Sequence, residues 1–333
     1  MSVQESKKIV QAFIREMDEA RPEGVNAVCA ASCVQNIHWR GYHPFNEIRD
    51  IQTVSEQFWG PLKESFTGLT HRLDVFMGGE NMFETPGGTW VVTMGHLVGL
   101  FDKAWLGIPA TGKLAFLRFC AFHRVEGDKI IETAMYFDLP HLMVQAGLQP
   151  FPVQTAAQLV QPGPATHDGL MFDNQSQEDS EKTLATINAM IADLGQWQSG
   201  LPLEEELART WHQDMLWWGP TGIGATYTIP RYAEQHSGPF RAGFKNRSGT
   251  GHICRLAEGL YGGFFGWPNF TAVPTGGFMG MPATDKLGEF RVIDIYRREG
   301  DKLKENWVFI DLLHFWKSQG VDILERTTGI SAV

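Results

Sequence analysis

The chain has 333 residues, 43% of them hydrophobic, with 22 Phe and 11 Trp, enough apolar mass to bury two cores. Against 28 basic residues stand 38 acidic ones, and the net charge of −10 excludes the basic footprint of a nucleic-acid binder. The apolar runs are too short to cross a bilayer, and Cys29, Cys33, Cys120 and Cys254 lack both a disulfide framework and paired zinc spacing. The opening segment, MSVQESKKIVQAF, has no apolar core or small-residue cleavage site of a secretion signal, so a cytoplasmic chain is expected. Ile9, Val10, Phe13, Ile14 and Met17 follow helical spacing and predict a first helix. Further helical pieces are expected over about 25–34 and 46–66, the second interrupted by Gly60-Pro61. The runs RLDVFM, TWVVTMGHLV, LAFLRFCAFHRV and KIIETAMYF, punctuated by glycine, read as strands. From 149 to 179 a Pro-, Gln- and Ser-rich stretch reads as a linker, with a less generic piece, PGPATHDGL, inside it. Helical spacing then resumes at Leu184, Ile187, Met190, Ile191 and Leu194, and more helix is expected over about 203–211 and 228–244.

The stretch Gly107-Ile-Pro-Ala-Thr-Gly-Lys113 fits the start of a phosphate-binding loop, but its surroundings do not. Leu114 stands where a magnesium-binding hydroxyl belongs, Pro109 removes a backbone N–H, and a strand-like run follows instead of a helix. The stretch matters for another reason. Gly280-Met-Pro-Ala-Thr-Asp-Lys286 repeats it 173 residues later, and the offset carries Arg118 onto Arg291, Glu126-Gly-Asp-Lys129 onto Glu299-Gly-Asp-Lys302, and Asp138-Leu-Pro-His141 onto Asp311-Leu-Leu-His314. Upstream, at an offset of 178, Trp39 and Gly41 meet Trp217 and Gly219, and Glu56 to Pro61 meets Glu234 to Pro239. Two copies of one domain are therefore expected, residues 1–148 and 180–333, joined by the linker at 149–179. Helices preceding a run of antiparallel strands make each copy α+β, a curved sheet wrapped around helices with room for a pocket between them.

The order of elements, the G-x-P-A-T-G-K turn, the strand ending in E-G-D-K-I-x-E, and an Asp followed by an amphipathic segment resemble the SnoaL-like polyketide cyclases of the nuclear transport factor 2-like superfamily. The resemblance covers about 5–148 and 180–325. It implies two tandem cone-shaped, cystatin-like domains packed as an intrachain pseudo-dimer, and a small or medium apolar carbonyl substrate such as a polyketide. It also implies an aspartate acting as general acid/base in an intramolecular aldol closure, without metal or cofactor. The matching positions here are Asp138 and Asp311.

Burial among Tyr136 and Phe137, or among Trp307, Phe309 and Phe315, would raise a carboxyl's pKa toward the range such chemistry needs. Each aspartate also stands where a helix N-cap belongs, and the two roles coexist only if one oxygen stays free. His141 and His314, one helical turn on, are candidates to orient it. The first copy adds His38, Arg40 and His43 beside Trp39, a set suited to proton transfer and to holding an enolate. The second offers Trp217, Trp218 and Trp267, better suited to an apolar ring. Arg118 and Arg291 are candidate anion holders, their sheet face unresolved by the pattern.

The leading reading is a cofactor-independent cyclase or lyase with Asp138 as acid/base and the second copy either structural or shaping the substrate. The alternatives are an epoxide or ester hydrolase with water activated by Asp and His, and a binding protein without catalysis. No nucleic-acid or membrane partner is expected, and a homo-oligomer of the two-domain chain stays open.

Overall fold

The computed structural model describes residues 1–152, 154–195 and 200–329. It divides into two compact units, one of residues 1–150, 165–174 and 322 onward, the other of 151–164 and 175–321. Among the described residues no helix is long and apolar enough to cross a membrane.

The first unit opens with α1 (Val3–Glu19), started by a capping box in which Ser2 and Glu5 exchange side-chain bonds to backbone N–H groups. It buries Val10, Phe13, Ile14 and Met17 of the stripe read from the sequence, with Ile9 at its half-buried edge. There follow α2 (Val25–Ser32), β1 (Cys33–Gly41), β2 (Asn46–Ile48), α3 (Ile51–Val54) and α4 (Gly60–Ser65), then the strands β3 (Phe66–Glu80), β4 (Thr89–Phe101), β5 (Leu114–Glu126) and β6 (Lys129–Phe137), and finally α5 (Leu139–Gln145). The sheet runs in the order β2-β1-β6-β5-β4-β3, antiparallel except where β1 meets β6.

The second unit repeats this plan with α6 (Gln177–Gly195), α7 (Leu203–Leu207), β7 (Trp211–Trp218), β8 (Ala225–Tyr227), α8 (Ile229–Tyr232) and α9 (Gly238–Gly243). Its strands are β9 (Phe244–Gly249), β10 (Cys254–Glu258), β11 (Tyr261–Phe265), β12 (Phe270–Pro274), β13 (Gly288–Phe290), β14 (Val292–Glu299) and β15 (Lys302–Ile310), followed by α10 (Leu312–Ser318). The main sheet reads β8-β7-β15-β14-β11-β10, again with one parallel pair, β7 with β15. A small sheet, β13-β12-β9, stands beside it because the three long strands of the first copy are each broken here. Two breaks fall at Gly251 and at Gly266 to Pro268, where a positive φ and a missing N–H interrupt the ladder. A last helix, α11 (Ile323–Thr328), belongs to the first unit, where Arg326 bonds to the carbonyl of Pro150.

Two expectations change. The segments expected to begin as helix at 46 and to remain helix through 211 begin instead with β2 and contain the start of β7. Neither β1 nor β7 has regular apolar alternation, since both shift register against their parallel neighbour. The Gly-Pro interruption of the third helix has a clear cause. Residues 55–59 and 233–237 form π-turns, with Gly60 N–H bonded to Ser55 O and Gly238 N–H to Ala233 O. An α-helical turn would press the following proline ring on the carbonyl four residues back, and the wider turn relieves it.

Candidate functional site

Alternation along β7, β14 and β15 sends Trp217, then Val292, Asp294 and Tyr296, then Asn306, Val308 and Ile310 to one face of the second unit's sheet. With residues from α6, the 233–240 turn and β10 to β12 they enclose a cavity of about 310 Å³. The W-x-G pattern shared by the copies shapes its wall. A Cβ at Gly219 would lie 2.0 Å from the Trp217 ring, as one at Gly41 would lie 2.1 Å from Trp39, so glycine lets each indole fold back over its own strand.

Asp294 is the carboxylate in this lining. Asn306 Nδ2 donates to its Oδ1 at 3.2 Å, and the Tyr296 hydroxyl also bonds to it. Burial dominates, pushing its pKa from 3.8 up to about 7, with the Asn306 and Tyr296 bonds pulling the other way. Tyr296 and Tyr232 are both held protonated far above neutrality by burial, and Tyr296 bonds to Asp294. His236 stacks on Trp217 at 4.0 Å, and burial pushes it down to about 3, so the ring is neutral. His252 is likewise pushed to about 3. It stacks on Phe264 at 3.9 Å and accepts from Arg255 Nη2 at 2.9 Å. Arg241, also in the lining, pairs with Glu206. Arg247, a third guanidinium in the lining beside Arg241 and Arg255, donates to Leu194 O and lies over the Phe270 ring at 4.6 Å. The site therefore joins one carboxyl poised near neutrality to neutral rings, a tyrosine hydroxyl and three partnered guanidinium groups, equipment for moving a proton.

The equivalent interior of the first unit is built differently. Ala121 stands for Asp294, His123 for Tyr296, Thr133 for Asn306 and Phe58 for His236. Phe58 touches the rings of Trp39, Phe45, Trp105 and Phe137, and His123, pushed to about 3 by burial, bonds to the Thr133 hydroxyl at 3.1 Å.

The residues singled out in the sequence gather elsewhere. Asp138 caps α5, its Oδ1 accepting from His141 N–H at 3.1 Å and its N–H donating to Arg118 O. Arg118 is buried beside it, lowered to about 10 by burial with the Asp138 charge opposing. Tyr136 is buried on β6, and burial lowers the pKa of His141. His38 and Arg40 turn to a different carboxylate. Arg40 pairs with Glu132, and His38 Nδ1 lies 3.8 Å from the same group. His43 is buried before Pro44, and Trp39 packs with Phe45 and Phe58. In the second unit Asp311 is fully buried, capping α10 through His314 N–H at 3.0 Å with Arg291 at 4.0 Å. Arg291 lies over the Trp267 ring at 3.8 Å, and His314 is 3.5 Å from Glu289. Trp307 donates to Pro162 O at 3.0 Å, and Trp218 is buried on the opposite face of β7 from Trp217. Of the singled-out residues, Trp217 lines the cavity.

Sequence reasoning missed Asp294, Tyr296, Asn306 and His236. The available signal was an acid inside the apolar run Val292-Ile-Asp-Ile-Tyr296, where an unpaired carboxylate is costly and so informative.

The second unit thus presents a cone whose cavity is lined by a half-buried acid. The sequence model of SnoaL-like polyketide cyclases matches residues 268–317, the stretch that holds Asp294, Tyr296 and Asn306. Similar solved structures include IdmH, a candidate polyketide cyclase from Streptomyces antibioticus, 19% identical over 40% of this chain and 98% of that one, with a TM-score of 0.33. A nuclear transport factor 2-like protein from Burkholderia thailandensis E264 is 20% identical, covering 45% of this chain and all of its own length, with a TM-score of 0.31. A candidate polyketide cyclase from Xanthomonas campestris pv. campestris is 18% identical over 43% of this chain and 98% of that one, at 0.36. No curated protein matches the chain.

Proposed function

We propose that the second unit is a cofactor-independent acid/base catalyst of the polyketide-cyclase kind, acting on a small apolar carbonyl compound through Asp294. One observation carries this reading: a carboxyl with its pKa near 7, set in an aromatic-walled cavity of about 310 Å³. Near neutrality such a group exists in both forms, so it can take a proton from the carbon beside a carbonyl and return it to carbon or oxygen. Tyr296 and Asn306 fix the carboxylate by donating to it, and Trp217 with His236 forms a flat wall for a ring. The resemblance to SnoaL-like cyclases supports enol chemistry. The hydrolase reading loses support because, of the three residues expected to position water beside Asp138, His38 and Arg40 are turned toward Glu132 and His43 is buried before Pro44.

The test is exchange of the α-protons of 1-tetralone in D2O, followed by proton NMR. Wild-type protein is expected to accelerate exchange, with a rate that rises with pH and levels off above about 7, because the base must be ionised. Asp294→Asn is expected to lower the rate by about 100-fold or more. Tight binding without exchange would make the protein a ligand carrier instead.

A further inference from the structure

The cavity of the second unit is cationic as well as acidic. Three of its lining residues are arginines and one is an acid, while His236 and His252 are neutral. Arg241 shares its charge with Glu206. Arg247 donates to Leu194 O at 3.1 Å and lies over the Phe270 ring, and Arg255 donates to Asn188 Oδ1 and to His252 Nδ1, all of them partners without charge. With Glu206 set against Arg241, and with Asp294 fully ionised, the set still carries one positive charge. Burial lowers the pKa of both Arg247 and Arg255, and Arg247, at about 10, stays ionised at neutral pH.

Arg255 stands in line with the acid. Asp294 on β14 faces Phe264 on β11, and Phe264 faces Arg255 on β10, so one row of cavity-lining residues crosses three strands. Neighbouring strands lie about 4.8 Å apart, which puts the backbone of Arg255 about 10 Å from that of Asp294. Tyr296, which bonds to Asp294, also feels the charge of Arg255. Charge acts through space, and more strongly where water is scarce, so a guanidinium already held by neutral partners still attracts an anion. We propose that the substrate of this cavity carries a carboxylate, drawn to the Arg255 end by the charges of Arg255 and Arg247 while its ketone lies beside Asp294. The inference rests on the proposed use of this cavity as the reaction site. It adds an acid group to the ring ketone and bounds its size. An apolar cavity of about 150 Å³ accepts one benzene ring, so about 310 Å³ suits a keto acid of one or two rings. One carboxylate on such a ligand balances the one positive charge left in the set. His252 and Asn188 hold Arg255 in place beforehand, which lowers the entropy lost when the anion arrives.

Calorimetric titration of the full chain at pH 7.5 tests this by comparing 1-tetralone-6-carboxylate with 1-tetralone-6-carboxamide, a ligand of the same shape without the charge. The 2 and 6 positions lie at opposite ends of the fused rings, so the acid group stands far from the exchangeable carbon. Wild type is expected to bind the acid about tenfold or more tightly than the amide. Arg255→Gln is expected to reduce that ratio to about twofold or less, and Arg255→Lys, which keeps the charge, to retain most of it. Arg247→Gln is expected to lower the ratio as well, and thermal melts verify that the variants are folded. Equal affinities in wild type, a tighter amide, or failure to bind either ligand overturns the inference, whether or not the variants fold. So does a ratio unchanged in both folded glutamine variants. Deuterium exchange at C2 of the same acid reports separately on Asp294. Preferential binding of the acid without exchange upholds the anion preference and fails the proposed base, and exchange without any preference for the acid does the reverse.

Discussion

At Asp294 the same burial that suits the carboxyl to proton transfer makes it costly to the folded chain. Its folded pKa, about 7, lies above the unfolded 3.8, so between those values the folded state holds a proton that the unfolded state has released. The cost is absent below about pH 4, grows through the window, and is complete above about 7, on the order of a few kcal/mol. Asp294→Asn is therefore expected to raise the melting temperature at pH 8 and to change it little at pH 4, as differential scanning fluorimetry would show. An equal gain at both would mean that the carboxyl is not held neutral by the fold. Asp294 is hidden from a comparison of the two copies. Matching the two copies rewards residues they share, such as Asp138 with Asp311 and Arg118 with Arg291, whereas the acid in the cavity faces an alanine, Ala121, in the other copy.

The shared aspartates do their visible work at the scale of helices. Asp50 and Asp138 both cap a helix through a side-chain bond to the N–H three residues on, but Asp50 is at the surface whereas Asp138 is buried beside Arg118. Asp50→Ala is expected to cost about 1 kcal/mol, the usual worth of a cap. Asp138→Ala, which also withdraws an opposite charge from a buried guanidinium, is expected to cost about 3 kcal/mol or more. Urea unfolding measures both, and equal losses would show that the buried charge contributes nothing. Elements with strong local chemistry were legible in advance. The apolar stripe of α1 and the continuous runs of β3 to β6 read from the sequence, because each is specified within a few residues. Strands β1 and β7 did not. They pair in parallel with strands about a hundred residues away through shifted registers, so their burial depends on partners that no local window contains.

Across the whole molecule the duplication has kept a plan and divided its use. Both units have the same strand order, the same π-turn before Gly-Pro, and the same folded-back tryptophan. In one interior rings pack around Phe58, and in the other His236 stands at that position beside a cavity. Calorimetric titration with 1-tetralone is accordingly expected to give one site per chain, and two equivalent sites would contradict this division. The return of α11 to the first unit concerns the order of assembly. A domain at the front of a chain ordinarily folds as soon as it has been made, but this one contains residues from 322 onward and is complete only once nearly the whole of its sibling has been synthesised. For the same reason no single cut in the sequence separates the two units with both complete.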